Sequence, residues 1–318
     1  MKIEIIYSLE PLSDEQITRI ESRTQSKVEC IDRAQLGNYP KLSSIEFLVC
    51  RDRDNILDVL SSCPSLKYMY IISAGVDRLP FEELKSRNII VTHAKGINAE
   101  IICQYVMAYI LSDSARVFEN LENQAHCYWK KYQAVEPLIT KKLLIIGTGN
   151  IGTRIGSVAK KFNIQCIGIR NSISEKLSDF DIVDTSNNID LYISSADYIV
   201  ISCPLTQLST NMMNGDRIRH MKQGGMLINV SRAGIVDYDA LIKECSKGRI
   251  RAVLDVFPEE PLLPNNPLWG VPNIIITPHS AGRMPNYKDY AINNFVENII
   301  LYLGESIIKD EVNLDKQY

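Results

Sequence analysis

The chain has 318 residues, 45% of them apolar and 23% charged, with 16 Gly and 13 Pro. That length suits two domains, and the composition is ordinary for a globular protein, which excludes disorder or low complexity as the governing architecture. Thirty-five Lys and Arg against 38 Asp and Glu leave a net charge of −3, with no basic block. The chain therefore lacks the electrostatic footprint of a nucleic-acid partner or an anionic membrane surface.

The first residues, Met1 to Tyr7, read as a strand and not as a signal peptide, because Glu4 interrupts the apolar run. Strands are predicted at Lys2–Tyr7, Phe47–Cys50, Leu66–Ile72 and Ile89–Thr92, with helices beginning after Ser13 and near Asn55. From Asn98 a long helix runs to about Ser114, since Ile101, Tyr105, Ala108 and Ile110–Leu111 approximate helical spacing. A second series of compact apolar runs follows at Lys142–Ile146, Ile164–Ile169, Tyr198–Ser202, Met226–Asn229, Ala252–Val256 and Ile274–Thr277. Runs of this kind fit parallel strands covered on both faces, and their alternation with helices predicts βαβ units. A last helix spans about Asn286 to Leu303 and ends at Gly304, the expected C′ residue. The longest apolar stretch, Ile101 to Leu111, is well short of a membrane span. The eight Cys include no CxxC pair and sit mostly within apolar runs, the usage of reduced, buried thiols. No metal is expected, and a cytoplasmic location is.

Gly147-Thr148-Gly149-Asn150-Ile151-Gly152 lies between the strand Lys142–Ile146 and an apolar helical segment. In that context G-x-G-x-x-G carries a mechanism. Gly147 allows a tight turn, Gly149 lets a pyrophosphate reach the backbone, and Gly152 lets helix and strand pack closely. The N–H groups that open the helix, at Asn150 and Ile151, then face the phosphates. The next strand ends Arg170-Asn171-Ser172, eighteen residues after Gly152, where an NAD site wants a carboxylate for the ribose 2′-OH. A guanidinium flanked by amide and hydroxyl donors binds a 2′-phosphate, so the reading favours NADP(H) over NAD(H). The alternative is a solvated Arg170 with the ribose held elsewhere.

Three later segments, Asn229-Val230-Ser231-Arg232-Ala233-Gly234-Ile235-Val236-Asp237, Leu254-Asp255-Val256-Phe257-Pro258-Glu259-Glu260-Pro261-Leu262 and Thr277-Pro278-His279, follow the glycine fingerprint in order. With Ser73-Ala74-Gly75-Val76-Asp77 nearer the N-terminus, the chain resembles the D-isomer-specific 2-hydroxyacid dehydrogenases. Arg170-Asn171-Ser172 and His279-Ser280-Ala281-Gly282 resemble the glyoxylate/hydroxypyruvate reductase branch most. The resemblance implies a doubly wound, Rossmann-type cofactor domain at 98–285. That domain is inserted into a smaller, flavodoxin-like α/β substrate domain made of 1–97 and a C-terminal return helix within 286–318. It also implies a homodimer formed through the cofactor domain.

Reducing a 2-keto acid needs a hydride donor, a proton, a cation for the carboxylate and exclusion of water. Arg232 suits the cation role, because its planar fork holds a carboxylate and polarises the adjacent carbonyl. His279 suits the acid/base role, since an imidazole exchanges protons near neutrality; His93, His126 and His220 are expected to be exposed or structural. The resemblance places the carboxylate that orients His279 on Glu260, directly before Pro261, with adjacent Glu259 as its competitor. It also places Asp255 against the nicotinamide carboxamide, the alternative being a strand-end Asp that caps a turn. Cys203, Pro204, Thr206, Val230 and Ser231 are expected to line the cofactor cleft at strand ends. Backbone amides of Ala74, Gly75 and Val76 are expected to take the substrate carboxylate, with Arg51 and Arg283 as weaker candidates for a polar tail. Two departures stand out: Ala233 replaces a common glycine, and Gln104 stands where many relatives carry Glu. A regulator that senses the dinucleotide without turnover, like the corepressors of this fold, is the competing reading.

Overall fold

The computed structural model describes residues 3–131, 134–173 and 177–318, so Lys2, where the first expected strand begins, lies outside the described residues. The chain divides into two compact units, one of Met1–Ile97 with Met284–Tyr318 and one of Asn98–Arg283.

The first unit is built on β1 (Ile5–Ser8), β2 (Lys27–Cys30), β3 (Phe47–Cys50), β4 (Tyr68–Ile71) and β5 (Ile90–His93). They pair in parallel in the order β2-β1-β3-β4-β5, a flavodoxin-like order. Side chains alternate across the sheet. Phe47, Val49, Tyr68 and Tyr70 pack with Ile20 of the helix Asp14–Thr24 and Phe295 of the helix Tyr287–Leu303. On the other face Leu48, Cys50, Met69 and Ile71 pack with Val59 and Leu84 of the helices Ile56–Ser62 and Phe81–Ser86. The first helix starts where a capping box puts it: Ser13 accepts from the Gln16 amide and Gln16 accepts from the Ser13 amide. The last helix ends differently from expectation. Gly304 has φ −85°, and the left-handed residue is Glu305, at φ 53°.

The second unit carries β6 (Lys142–Ile146), β7 (Gln165–Arg170), β8 (Ile182–Thr185), β9 (Tyr198–Ile201), β10 (Met226–Asn229), β11 (Arg251–Leu254) and β12 (Ile274–Ile276). They form a parallel sheet in the order β12-β11-β10-β9-β6-β7-β8. The order reverses between β6 and β9, and the crevice outside their carboxyl ends is where such sheets bind ligands. The expected long helix is Ala99–Ser114; its Ile102, Val106 and Ile110 pack with Ile155 and Ala159 of the helix Asn150–Lys161. Among the described residues no helix is long and apolar enough to cross a membrane, and all eight thiols are free, five of them buried.

Candidate active site

The glycine turn is shaped by what surrounds it. Gly147 has φ +100°, and a Cβ there would stand 2.5 Å from the Cys203 backbone nitrogen at the end of β9. A Cβ on Gly152 would stand 1.9 Å from the Gly147 carbonyl oxygen, whereas one on Gly149 meets nothing within 4 Å. Gly147 and Gly152 are thus packing requirements, and Gly149 borders open space. The helix that follows has Gly149 at its N-cap with no side-chain cap, and the buried Thr148 Oγ1 has no partner among the described residues. Uncapped amides and an orphaned hydroxyl suit an anionic, hydrogen-bonding ligand. Gly152→Ala is expected to cost about 1–3 kcal/mol through overpacking. Thermal unfolding checks this, at about 2–4 °C per kcal/mol for a domain of this size.

Arg170 ends β7 beside this turn: the Gly147 amide donates to the Ile169 carbonyl (2.8 Å), while Asn171 and Ser172 are exposed. Across the switch point, the loop after β9 is tied down by buried Ser209, whose hydroxyl donates to the Pro204 carbonyl (2.7 Å) and accepts from the Thr206 amide (2.8 Å). The Ser231 hydroxyl donates to the Cys203 carbonyl, and the buried Val230 donates its amide to Ile201, so the loops after β9 and β10 are joined. Burial pushes the Cys203 thiol up to about 12, which keeps it an un-ionised packing group.

Arg232 sits on a turn built by Asn229, which is fully buried. The Asn229 side chain accepts from the Ser231 amide (3.1 Å) and donates to the Arg232 carbonyl (3.0 Å). The guanidinium donates to the Ser231 carbonyl (2.9 Å). Ala233 opens a short 3-10 turn and is not among the residues of positive φ, so this backbone accommodates a side chain where many relatives have glycine.

Glu260, not Glu259, meets the histidine. One Glu260 oxygen accepts from His279 Nδ1 (2.7 Å) and the other from the Phe257 amide (2.9 Å). A carboxylate only accepts, so Nδ1 carries the proton and Nε2 is left to exchange one. His279 itself has φ 49°, a left-handed conformation that a non-glycine residue keeps only when its surroundings fix it. Asp255 does the fixing. Its buried carboxylate accepts from the Thr277 hydroxyl (2.6 Å) and from the amides of Ser280 (2.8 Å) and Ala281 (2.9 Å), bracketing His279 on both sides. Since Thr277 gives its one proton to Asp255, the Tyr105 hydroxyl of the long helix must donate to Thr277. Sequence reasoning put Asp255 on the cofactor first and on a strand-end turn as the alternative, and its hydrogen bonds are those of the second. Asn229, Thr277 and Tyr105 were missed altogether, the first two although they lie inside the recognised motifs.

In the first unit, Ser73-Ala74-Gly75-Val76 follow β4. The amides of Gly75 and Val76 donate to no acceptor among the described residues. Arg51 pairs with the buried Glu10 (2.7 Å), and Arg283, in the second unit, is exposed. His126 and His220 are exposed, each hydrogen-bonded to a carbonyl of its own helix, whereas His93 is buried.

A glycine turn at the switch point of a doubly wound sheet, with an oriented histidine at the end of another strand segment, defines a nucleotide-dependent oxidoreductase. The model of the D-isomer specific 2-hydroxyacid dehydrogenase NAD-binding domain matches residues 107–281. The chain belongs to this family, in its glyoxylate/hydroxypyruvate reductase-like branch, and is an NAD(P)-dependent oxidoreductase. It is 30% identical to a glyoxylate reductase of Thermofilum pendens over 267 residues, 80% of this chain and 78% of that one. It is 28% identical to a glyoxylate/hydroxypyruvate reductase B of Pectobacterium atrosepticum over 285 residues, 87% and 88% of the two chains. A crystal structure of a family protein from Aeromonas salmonicida superposes with a TM-score of 0.79 at 26% identity, covering 99% of both chains.

Proposed function

We propose that the protein reduces small 2-keto acids of the glyoxylate or hydroxypyruvate type, with NADPH preferred over NADH. The single observation that carries this reading is the Glu260–His279 pair, a carboxylate holding a histidine in one tautomer on a turn that is itself held by Asp255. The bound nicotinamide supplies the hydride for the keto carbon. His279 gives a proton to the keto oxygen, and Glu260 stabilises the imidazolium that must form before each turnover. Arg232 takes the carboxylate and polarises the carbonyl. Within the first unit, the Gly75 and Val76 amides are donors of the kind a 2-oxo acid carboxylate takes, whereas the Ala74 amide faces the Tyr287 hydroxyl. Gly147, Gly149, Asn150, Ile151 and Gly152 hold the pyrophosphate, while Cys203, Pro204, Thr206, Val230, Ser231 and Asp255 line the nicotinamide side.

The NADPH preference rests on Arg170, Asn171 and Ser172, the donors that end β7 where a ribose-binding carboxylate would repel a 2′-phosphate. A panel of 2-keto acids assayed in parallel with NADPH and NADH tests both parts of the reading. NADPH is expected to give the higher kcat/KM by at least about tenfold, roughly the worth of one charge-assisted contact, and Arg170→Asp to reverse the order. An NADH preference in the parent protein overturns the cofactor reading, and no turnover with any keto acid favours the dinucleotide-sensing regulator instead.

The homodimer is also part of this reading. The helix Val117–Ala125 buries none of its residues, and Leu121 and Trp129 are 57% and 89% exposed. Apolar surface of that kind in one segment suits a second copy of the chain. Light scattering is expected to give twice the 36.0 kDa chain mass, falling to a single chain when Leu121 and Trp129 are both changed to Glu.

A further inference from the structure

His93, expected to be exposed or structural, is 7% exposed at the end of β5, next in the sheet to β4. Its Nδ1 lies 2.8 Å from the carbonyl oxygen of Ala74. A carbonyl oxygen has no proton to give, so Nδ1 is the donor and the tautomer is fixed. The backbone of His93 is held as well. Its amide donates to the Asp310 carbonyl (3.3 Å), and the next amide, that of Ala94, donates to Ile71 (3.0 Å). Around the same loop, the Ser73 hydroxyl donates to Asp52 (2.6 Å), and the Tyr287 hydroxyl lies against the Ala74 amide. Burial disfavours the imidazolium, so the ring stays neutral and remains a donor through Nδ1 alone.

The Ala74 carbonyl and the Gly75 amide belong to one planar trans peptide and point in opposite directions. A donor on the carbonyl therefore aims the Gly75 N–H the other way, and polarising that carbonyl makes the N–H a stronger donor. The Gly75 and Val76 amides donate to no acceptor among the described residues. We propose that His93 is a positioning residue for the carboxylate of a 2-oxo acid: through its Nδ1–H it fixes the Ala74–Gly75 peptide so that the Gly75 and Val76 amides are presented to that anion. The proposal rests on the reading of this loop as the carboxylate site. It assigns His93 no proton transfer.

Asn and Gln separate this role from simple packing. An Asn side chain places its amide nitrogen where Nδ1 stood, and a Gln reaches instead to the position of Nε2. Calorimetric binding of oxamate, an unreactive 2-oxo acid mimic, to the NADPH-saturated full chain reads the site without requiring turnover. We expect His93→Asn to stay within about twofold of the parent, and His93→Gln to lose about three- to tenfold in oxamate affinity, the range of one neutral hydrogen bond. NADPH affinity and Tm are expected to match in both variants. Equal oxamate affinity in the Asn and Gln variants, or an Asn variant as weak as the Gln one, overturns the proposal. Tight oxamate binding that depends on His93 in a protein without keto-acid turnover sinks the enzymatic reading and leaves the positioning role standing.

Discussion

His279→Asn lowers kcat for 2-keto acid reduction by about 10²–10⁴-fold, the usual worth of a general acid. The expectation is specific because the turn does not depend on the imidazole. Asp255 holds Thr277, Ser280 and Ala281, and the backbone of residue 279 stays where those bonds put it. NADPH binding, followed by fluorescence, is therefore expected to remain within a few-fold of the parent. The pH profile carries the sign. Reduction consumes a proton that His279 donates, so kcat/KM of the parent is expected to fall toward alkaline pH, and in the variant that limb disappears. A variant that keeps more than a tenth of the parent activity removes His279 from the acid/base role. Glu260→Gln is expected to weaken the same limb without abolishing it, because the Phe257 amide still finds an oxygen acceptor while the imidazolium loses its counter-charge.

Arg232→Gln is the second large effect, about 10²–10³-fold in kcat/KM, comparable to removing one preorganised donor from a developing oxyanion. Asn229 forms the turn from its own side chain, contacting the Ser231 amide and the Arg232 carbonyl and not the guanidinium. The substitution therefore removes the fork and leaves the loop. Arg232→Lys keeps the charge but not the planar pair of donors, and its kcat/KM is expected to fall between Gln and the parent. Steady-state kinetics with the keto acid varied at saturating NADPH distinguishes the three; an Arg232→Gln enzyme within tenfold of the parent leaves the carboxylate to other groups.

The strands that sequence patterning located are those that carry a compact apolar run. Phe47–Cys50, Lys142–Ile146 and Met226–Asn229 match β3, β6 and β10 residue for residue; the other expected runs lie within two residues of β4, β5, β7, β9, β11 and β12, and the run at β1 starts three residues early. The two strands it did not anticipate, Lys27–Cys30 and Ile182–Thr185, are both edge strands with partly exposed faces. An edge strand needs no continuous apolar run, and these two have none longer than two residues, whereas the edge strands β5 and β12 keep the runs Ile89–Val91 and Ile274–Ile276 and were legible. The helix Val117–Ala125 escaped for a related reason, since none of its residues is buried.

By itself the sequence determined what depends on short range: the alternation of strand and helix, the glycines of the β6 turn, the capping box at Ser13, and a near-neutral charge that fits a small-molecule enzyme. These follow from backbone freedom, side-chain stiffness and periodicity over a few residues. Only the tertiary structure decided which of two adjacent glutamates meets His279, that Asp255 secures the turn carrying it, that Tyr105 reaches Thr277 across 172 positions, and that His93 grips the Ala74 carbonyl. Those bonds join strand ends brought side by side by sheet order and helix packing. A hydrogen bond needs its atoms within about 3 Å, a condition that spacing along the chain cannot specify.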